Sequence, residues 1–237
     1  MQTMSSTIRQ RGATAAALVL SLAVTGCATV THTIPQDIAS TDTPFEVRSA
    51  GRMYQLFSDG YFQVGSYRVT GIHHDISVGN ELSIGQYSQA SATGRFTFAI
   101  AGPRAAWSAQ CNRVFQSRAI ALRRVDVESS KSMLYCELGS GAQRATLELH
   151  DNAKGLYGLV QIGSDRYDMR GFSHDNSAAD PGTVSDVLGL RIDRGGQNVA
   201  ALALARPGTF WLNSRLAPEQ QDAFAAVLAA LLINARH

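Results

Sequence analysis

An apolar run near the end of the 237-residue chain reads FAAVLAALLI and covers residues 224–233. Pro218, Glu219 and Asp222 precede it, and a proline followed by acids is typical of the start of a helix. The run is too short to span a bilayer, and a helix that is apolar on every side must be buried on every side. It therefore predicts a helix enclosed by the rest of the domain. The side chains expected to be nearly fully buried are those of Phe224, Val227, Leu228, Leu231 and Leu232.

The chain before this helix has the pattern of short β-strands. Apolar and polar residues alternate in segments such as 95–100 and 145–150, and turn-forming residues separate the segments. Gly79-Asn80 and residues 128–131 are among the predicted turns. The strands number about a dozen, which predicts a mainly β domain built as an antiparallel barrel or sandwich.

A sheet wrapped around one helix would bury that helix on every side. This combination resembles the tubby-like fold, in which a twelve-stranded barrel encloses a carboxy-terminal apolar helix. The resemblance is one of pattern over residues 45–237, and no sequence motif carries it. Proteins with this fold often meet phosphoinositides or membranes. No matching basic motif occurs in this chain, so the resemblance transfers no ligand and no binding residue.

The amino-terminal segment has the layout of a bacterial export signal. Arg9 and Arg11 precede an apolar stretch, and two small residues precede Cys27. The tetrapeptide VTGC at residues 24–27 resembles the lipobox of bacterial lipoproteins. The resemblance implies that residues 1–26 are removed as a signal peptide. It also implies a diacylglycerol on the thiol of Cys27 and a fatty acid such as palmitate on its amine. An ordinary signal peptide with an incidental cysteine is the alternative.

Two or three acyl chains hold a protein stably at a membrane surface. Cys27 would therefore anchor the chain in the bacterial cell envelope. Ala28 stands where aspartate marks inner-membrane retention in the enteric sorting rule, which implies the outer membrane. Residues 27–44 are rich in Thr, Ser and Pro and lack periodicity, so they predict an acylated amino terminus with a flexible tether. Residues 45–237 would then form a single β-rich domain.

The charge balance and the cysteines narrow the class of protein further. Loss of Arg9 and Arg11 with the signal leaves 19 of the 21 basic residues against 19 acidic ones, and this neutral body argues against nucleic acid as a partner. Cys111 and Cys136 remain once Cys27 is acylated, and an even pair in an oxidising compartment predicts a disulfide. A redox-active or metal-binding pair is the alternative, although no Cys-x-x-Cys motif occurs.

Histidine–aspartate dipeptides are the candidates for a polar site. Imidazole with carboxylate can bind zinc or act as a general base. However, adjacent side chains of a strand point to opposite faces, so the members of each dipeptide would not converge. We therefore predict no catalytic residue, no metal site and no cofactor. The residues of this candidate polar site are His73, His74, Asp75, His150, Asp151, His174 and Asp175.

Three functions are compatible with these features. The first is a non-catalytic envelope lipoprotein that binds a protein partner or has a structural role. The second is a lipid-binding or apolar-ligand-binding module with the ligand inside the barrel, where the apolar helix would compete for the same space. The third is a hydrolase or metalloenzyme that uses the histidine–aspartate pairs.

Overall fold

A computed structural model describes eight segments of the chain, at residues 36–39, 42–48, 60–84, 87–122, 125–152, 155–172, 187–204 and 208–235. The predicted signal peptide, Cys27, His174 and Asp175 lie outside these segments. All described residues belong to one compact unit.

The described residues form twelve β-strands and two α-helices. In chain order these are α1 (Gln36–Ala39), β1 (Asp42–Arg48), β2 (Gly60–Val64), β3 (Tyr67–Ile84), β4 (Tyr87–Ala101), β5 (Ala106–Leu122), β6 (Val125–Ser140), β7 (Gln143–Asn152), β8 (Gly155–Ile162), β9 (Asp165–Phe172), β10 (Gly189–Arg194), β11 (Gln197–Ala203), β12 (Thr209–Asn213) and α2 (Pro218–Asn234).

The strands form one closed antiparallel barrel. Each strand pairs with the next one along the chain, and β1 pairs with both β2 and β12, which closes the sheet. Several tight hairpins turn at a glycine with positive φ, such as Gly163 at 58° between β8 and β9. The predicted fold class, an antiparallel β-structure of about twelve strands with a carboxy-terminal helix, is confirmed, and the barrel is the form it takes.

The helix α2 fills the lumen of the barrel. All residues from Asp222 to Ile233 are buried, and the five side chains predicted to be enclosed expose 1% of their surface or less. The strands alternate so that their apolar residues point inward onto this helix, as when the ring of Tyr167 meets the ring of Phe224 edge-on at 4.9 Å. Within the described segments, neither helix has the length and apolarity needed to cross a membrane.

A disulfide joins Cys111 and Cys136, as predicted. The two residues face each other directly on β5 and β6, with 4.1 Å between their α-carbons. Such a spacing belongs to opposed residues of an antiparallel pair. Both cysteines are fully buried in the core, so the disulfide links two neighbouring strands on the inner face of the barrel.

Part of the segment predicted to be a tether is structured. Residues 36–39 form α1, and β1 begins at Asp42, so the predicted boundary at Phe45 lies inside a strand. Ile38 is fully buried against the outer face of the barrel, in a cluster with Phe172, Ala201, Ala203 and Trp211. The Thr- and Pro-rich composition concealed this packing, because Ile38 is the only large apolar residue in α1.

Two predicted turns are wrong. Gly79-Asn80 lies within β3, opposite Ala92 and Ser91 of β4. Residues 128–131 lie within β6, where they pair with β5. In both places continuous cross-strand pairing outweighs the local preference of polar and glycine residues for turns. The pairing of β3 with β4 has a register shift between Asp75 and Val78, and β3 continues beyond it to Ile84.

The strands β3 to β6 are much longer than the others, with 15 to 18 residues each. Beyond Ile72, β3 pairs only with β4 among the described strands, and before Ser132, β6 pairs only with β5. The outer ends of these four strands thus extend past the closed part of the barrel. We call residues 76–84, 87–94, 114–122 and 125–131 the projecting sheet.

Candidate functional site

The first histidine–aspartate group is divided between the two faces of β3. The side chain of His73 is exposed, and its Nε2 lies 3.6 Å from Oδ1 of exposed Asp75. His74 turns to the other face, where its ring lies 5.6 Å from the ring of Phe96. This is the alternation that the sequence predicted for adjacent strand residues.

The second group lies elsewhere on the barrel. His150 on β7 places Nε2 2.6 Å from Oε1 of Glu148 and stacks on Tyr157 at 5.2 Å. Three strands separate β7 from β3, so the two histidine groups are four strand spacings apart along the sheet, which at about 4.8 Å each is roughly 19 Å of arc. No cluster of three His, Cys, Asp or Glu able to hold a metal occurs in the described segments. The groups that the structure describes therefore do not converge.

The end of the barrel that holds the start of α2 is closed by a carboxylate. Asp222 is 2% exposed, and its Oδ2 accepts hydrogen bonds from the backbone N–H groups of Arg104 and Ala105, at 3.2 and 2.9 Å. Burial, and then the charge and hydrogen bond of Asp222, raise the pKa of the Tyr67 phenol well above its usual range. A Cβ on Gly102 would lie 2.8 Å from Oδ1 of Asp222, so glycine is required for this close approach. Asp222 thus fixes α2 to the β4–β5 hairpin.

A polar cluster on the outer face holds α1 against the barrel. Nη2 of Arg191 lies 2.8 Å from Oδ2 of Asp37 in α1, and Nε of Arg191 lies 2.9 Å from Oδ2 of Asp193. Asp193 is 4% exposed and also accepts a hydrogen bond from Nη2 of Arg170 at 3.1 Å. Because every charge in this cluster has a partner within the fold, the cluster is structural.

The opposite end of the barrel contains a pocket of about 410 Å³, which we call the mouth pocket. Its size falls within the range of small-ligand sites, and the mouths of β-barrels are common places for them. The end of α2 forms part of its wall, and the projecting sheet begins beside it. The lining residues are Ala92, Thr93, Gly94, Arg113, Phe115, Ser132, Asp151, Asn234 and Ala235.

The strand register explains why the mouth pocket is polar. Along β5, β6 and β7 the inward-facing positions are apolar through Cys111, Leu134 and Leu149. The next inward positions are Arg113 on β5, Ser132 on β6 and Asp151 on β7, and Phe115, Ser132 and Asp151 pair directly across the three strands. The apolar lumen therefore changes to a charged and hydroxyl-bearing surface at the level where α2 ends.

Two polar groups in the mouth pocket, the carboxyl of Asp151 and the side-chain oxygen of Asn234, lack a charge or hydrogen-bond partner among the described residues. Burial raises the pKa of the Asp151 carboxyl, and no cation within the described residues forms a salt bridge with it. The Oδ1 atom of Asn234, in the last turn of α2, is buried and has no hydrogen-bond partner in the described part of the chain. Buried polar atoms are normally paired. These two groups make the mouth pocket the candidate site.

Sequence reasoning named Asp151, but as the partner of His150 and not as a pocket residue. It missed Arg113, Ser132 and Asn234. The sequence did contain a signal for Arg113. Every second residue from Trp107 through Ala109 to Cys111 is apolar and faces inward, and Arg113 is the next residue in that series. Which residues of β6 and β7 lie beside it depends on register, which the sequence alone does not provide.

The fold and the site together define a closed antiparallel barrel around a carboxy-terminal helix, plugged at one end and pocketed at the other. Comparisons of the chain with protein-family models, with curated proteins and with solved structures found no match.

Proposed function

We propose that the chain is a lipid-anchored protein of the bacterial envelope that acts by binding and not by catalysis. The observation that carries this proposal is the filled lumen. Twelve consecutive residues of α2, Asp222–Ile233, are buried inside the barrel, so an acyl chain could enter only by displacing the helix that forms the core. Together with the separation of the histidine groups, this favours the first of the three hypotheses over the other two.

The projecting sheet has exposed apolar residues that a protein partner could bind. At its tip, Leu82 and Ile84 are 55% and 65% exposed, and both belong to a strand that continues past the closed barrel. Seven residues of β5 beyond Phe115 extend the sheet by roughly 23 Å at about 3.3 Å per residue. Exposed apolar side chains on such an extension are typical of protein interaction sites. We propose that an envelope protein binds there.

Site-specific photo-cross-linking in intact envelopes tests the partner. A photoreactive residue placed at Ile84 should give one discrete protein adduct, and the same residue placed at exposed Arg166 on β9 should not. Leu82→Asn should weaken the Ile84 adduct. Identical adducts from both positions, or an Ile84 adduct that Leu82→Asn leaves unchanged, would contradict the proposed surface.

The anchor is tested separately. Cys27→Ser should move the protein from the membrane fraction to the supernatant, because the lipid-bearing side chain is lost. Intact-mass measurement of the wild type should show the mass of acyl chains on a chain that begins at Cys27. A wild type without lipid, together with unchanged fractionation of Cys27→Ser, would refute the anchor.

A further inference from the structure

Two opposite charges, those of Arg113 and Asp151, line the mouth pocket. Arg113 lies on β5, level with Leu149 of β7. Asp151 is the next inward residue of β7, and it lies two strands away from Arg113. Two strand spacings and two residues of rise separate their α-carbons by about 12 Å. No ion pair joins the two side chains in the described structure. A ligand between them could meet a guanidinium at one end and a carboxylate at the other.

The remaining lining favours a ligand with peptide-like groups. The end of α2 at Asn234 presents the negative end of the helix dipole, which favours a cation or N–H donors, and its last turn contains no basic residue. The buried Oδ1 of Asn234 is an acceptor without a partner in the described segments. Ser132 and Thr93 add hydroxyl groups, and Phe115 adds an aromatic wall.

We propose that the mouth pocket binds a short peptide-like zwitterion, with its carboxylate at Arg113 and its ammonium group at Asp151. Guanidinium matches carboxylate with two parallel hydrogen bonds, which makes Arg113 suited to the anionic end. A dipeptide extends about 7 Å at the reach of an extended chain, and the pocket volume of about 410 Å³ is large enough to hold it.

The proposal goes beyond the partner surface and does not depend on it. Asp151 points into the barrel end, whereas Leu82 and Ile84 lie at the far tip of β3. The desolvated carboxylate has no structural partner comparable to those of Asp222 or Asp193. A partly buried carboxyl that lies in a pocket and has a raised pKa is typical of a binding site.

Isothermal titration calorimetry with a charge-deletion series tests the site on the full-length chain without its signal. The probes are alanyl-alanine and alanyl-phenylalanine, the N-acetylated form of each and the C-amidated form of each. The zwitterionic dipeptides should bind, and loss of either charge should weaken binding at least tenfold, as expected when a charge-assisted hydrogen bond is lost. Failure of both dipeptides to bind at 10 mM would overturn the proposal.

Variants assign each end of the ligand. Arg113→Gln should abolish the difference between the dipeptide and its amide, and Asp151→Asn should abolish the difference between the dipeptide and its acetylated form. Arg113→Lys should retain part of the binding, because it keeps the charge but loses the two parallel hydrogen bonds. Arg166→Gln and Asp168→Asn on the outer face of β9 are the matched controls. Binding that survives both pocket variants in folded protein would place the ligand elsewhere and overturn the proposal.

Discussion

Leu228→Ala measures how completely the barrel encloses α2. Leu228 is fully buried and lies near the middle of the helix. The substitution removes three carbon atoms, which at about 0.8 kcal/mol per methylene forfeits roughly 2.4 kcal/mol of transfer free energy. A closed barrel held by pairing on both sides of every strand can collapse little around the resulting cavity. We therefore expect the total loss to lie in the upper part of the usual range, at about 3–5 kcal/mol.

Urea denaturation followed by circular dichroism is the assay, with the free energy of unfolding taken from the midpoint and slope. Leu82→Ala is the matched control, because the same chemical change at a 55% exposed position should alter stability by no more than about 0.5 kcal/mol. The slope should be unchanged in both variants. A loss below about 1 kcal/mol at Leu228, similar to that at Leu82, would refute enclosure of the helix.

Three further predictions concern the disulfide between two strands and the two ends of the barrel. The double variant Cys111→Ser/Cys136→Ser should unfold at a lower urea concentration. For a separation of 25 residues, the chain-entropy model gives a loss of about 3–4 kcal/mol in the free energy of unfolding. As a control, the wild type with its disulfide reduced should be as stable as the variant. Asp222→Ala should lower the free energy of unfolding by about 2–4 kcal/mol, because two backbone N–H groups lose their acceptor. It should also lower the pKa of Tyr67, as measured by ultraviolet titration. Glu219→Ala, which removes an exposed charge, should leave the stability nearly unchanged. Asp151→Asn should stabilise the protein at pH 7. A carboxyl with a raised pKa in the folded state loses stability as the pH rises from its unfolded pKa through its folded one, so the gain should disappear at pH values below both. A gain that persists unchanged at low pH would contradict burial as its cause.

The helix was predictable because its ten apolar residues allow few arrangements. A run without a polar face cannot lie on the surface of a sheet, and in a chain of short strands enclosure is the remaining way to bury it. Strand number was predictable for a similar reason, since glycine, proline and asparagine separate most of the apolar segments. These features depend on local sequence and on burial, both of which the chain displays directly.

The projecting sheet was not predictable. Gly79-Asn80 and residues 128–131 carry turn preferences, yet both lie within strands. Their pairing partners, Ala92, Ser91 and residues of β5, supply hydrogen bonds that local propensity does not encode. The length of β3 therefore depends on β4 being equally long, a condition that only the assembled sheet reveals.

The pocket was hidden by the same dependence on register. Asp151 and Ser132 become neighbours because β6 and β7 pair in one register, and a shift of β7 by one residue would turn Asp151 to the outer face. That register is fixed by the apolar partners below them, Leu134 opposite Leu149 and Cys136 opposite Leu147. The residues that build the core thus also aim the polar residues into the pocket.

The two ends of α2 differ in how the polar groups beside them are compensated. At the first end, the carboxylate of Asp222 meets two backbone donors, and the buried charge is compensated within the chain. At the second end, Asp151 and Asn234 remain without such compensation from the described residues. Natural sequences depart from full polar satisfaction mainly at functional sites, because uncompensated groups are costly to retain for structure alone. The two ends therefore make opposite predictions for stability. Asp222→Asn should destabilise the protein, because the carboxylate accepts two backbone hydrogen bonds, whereas Asp151→Asn should stabilise it, because the partial burial of its carboxylate is not offset by a salt bridge within the described residues.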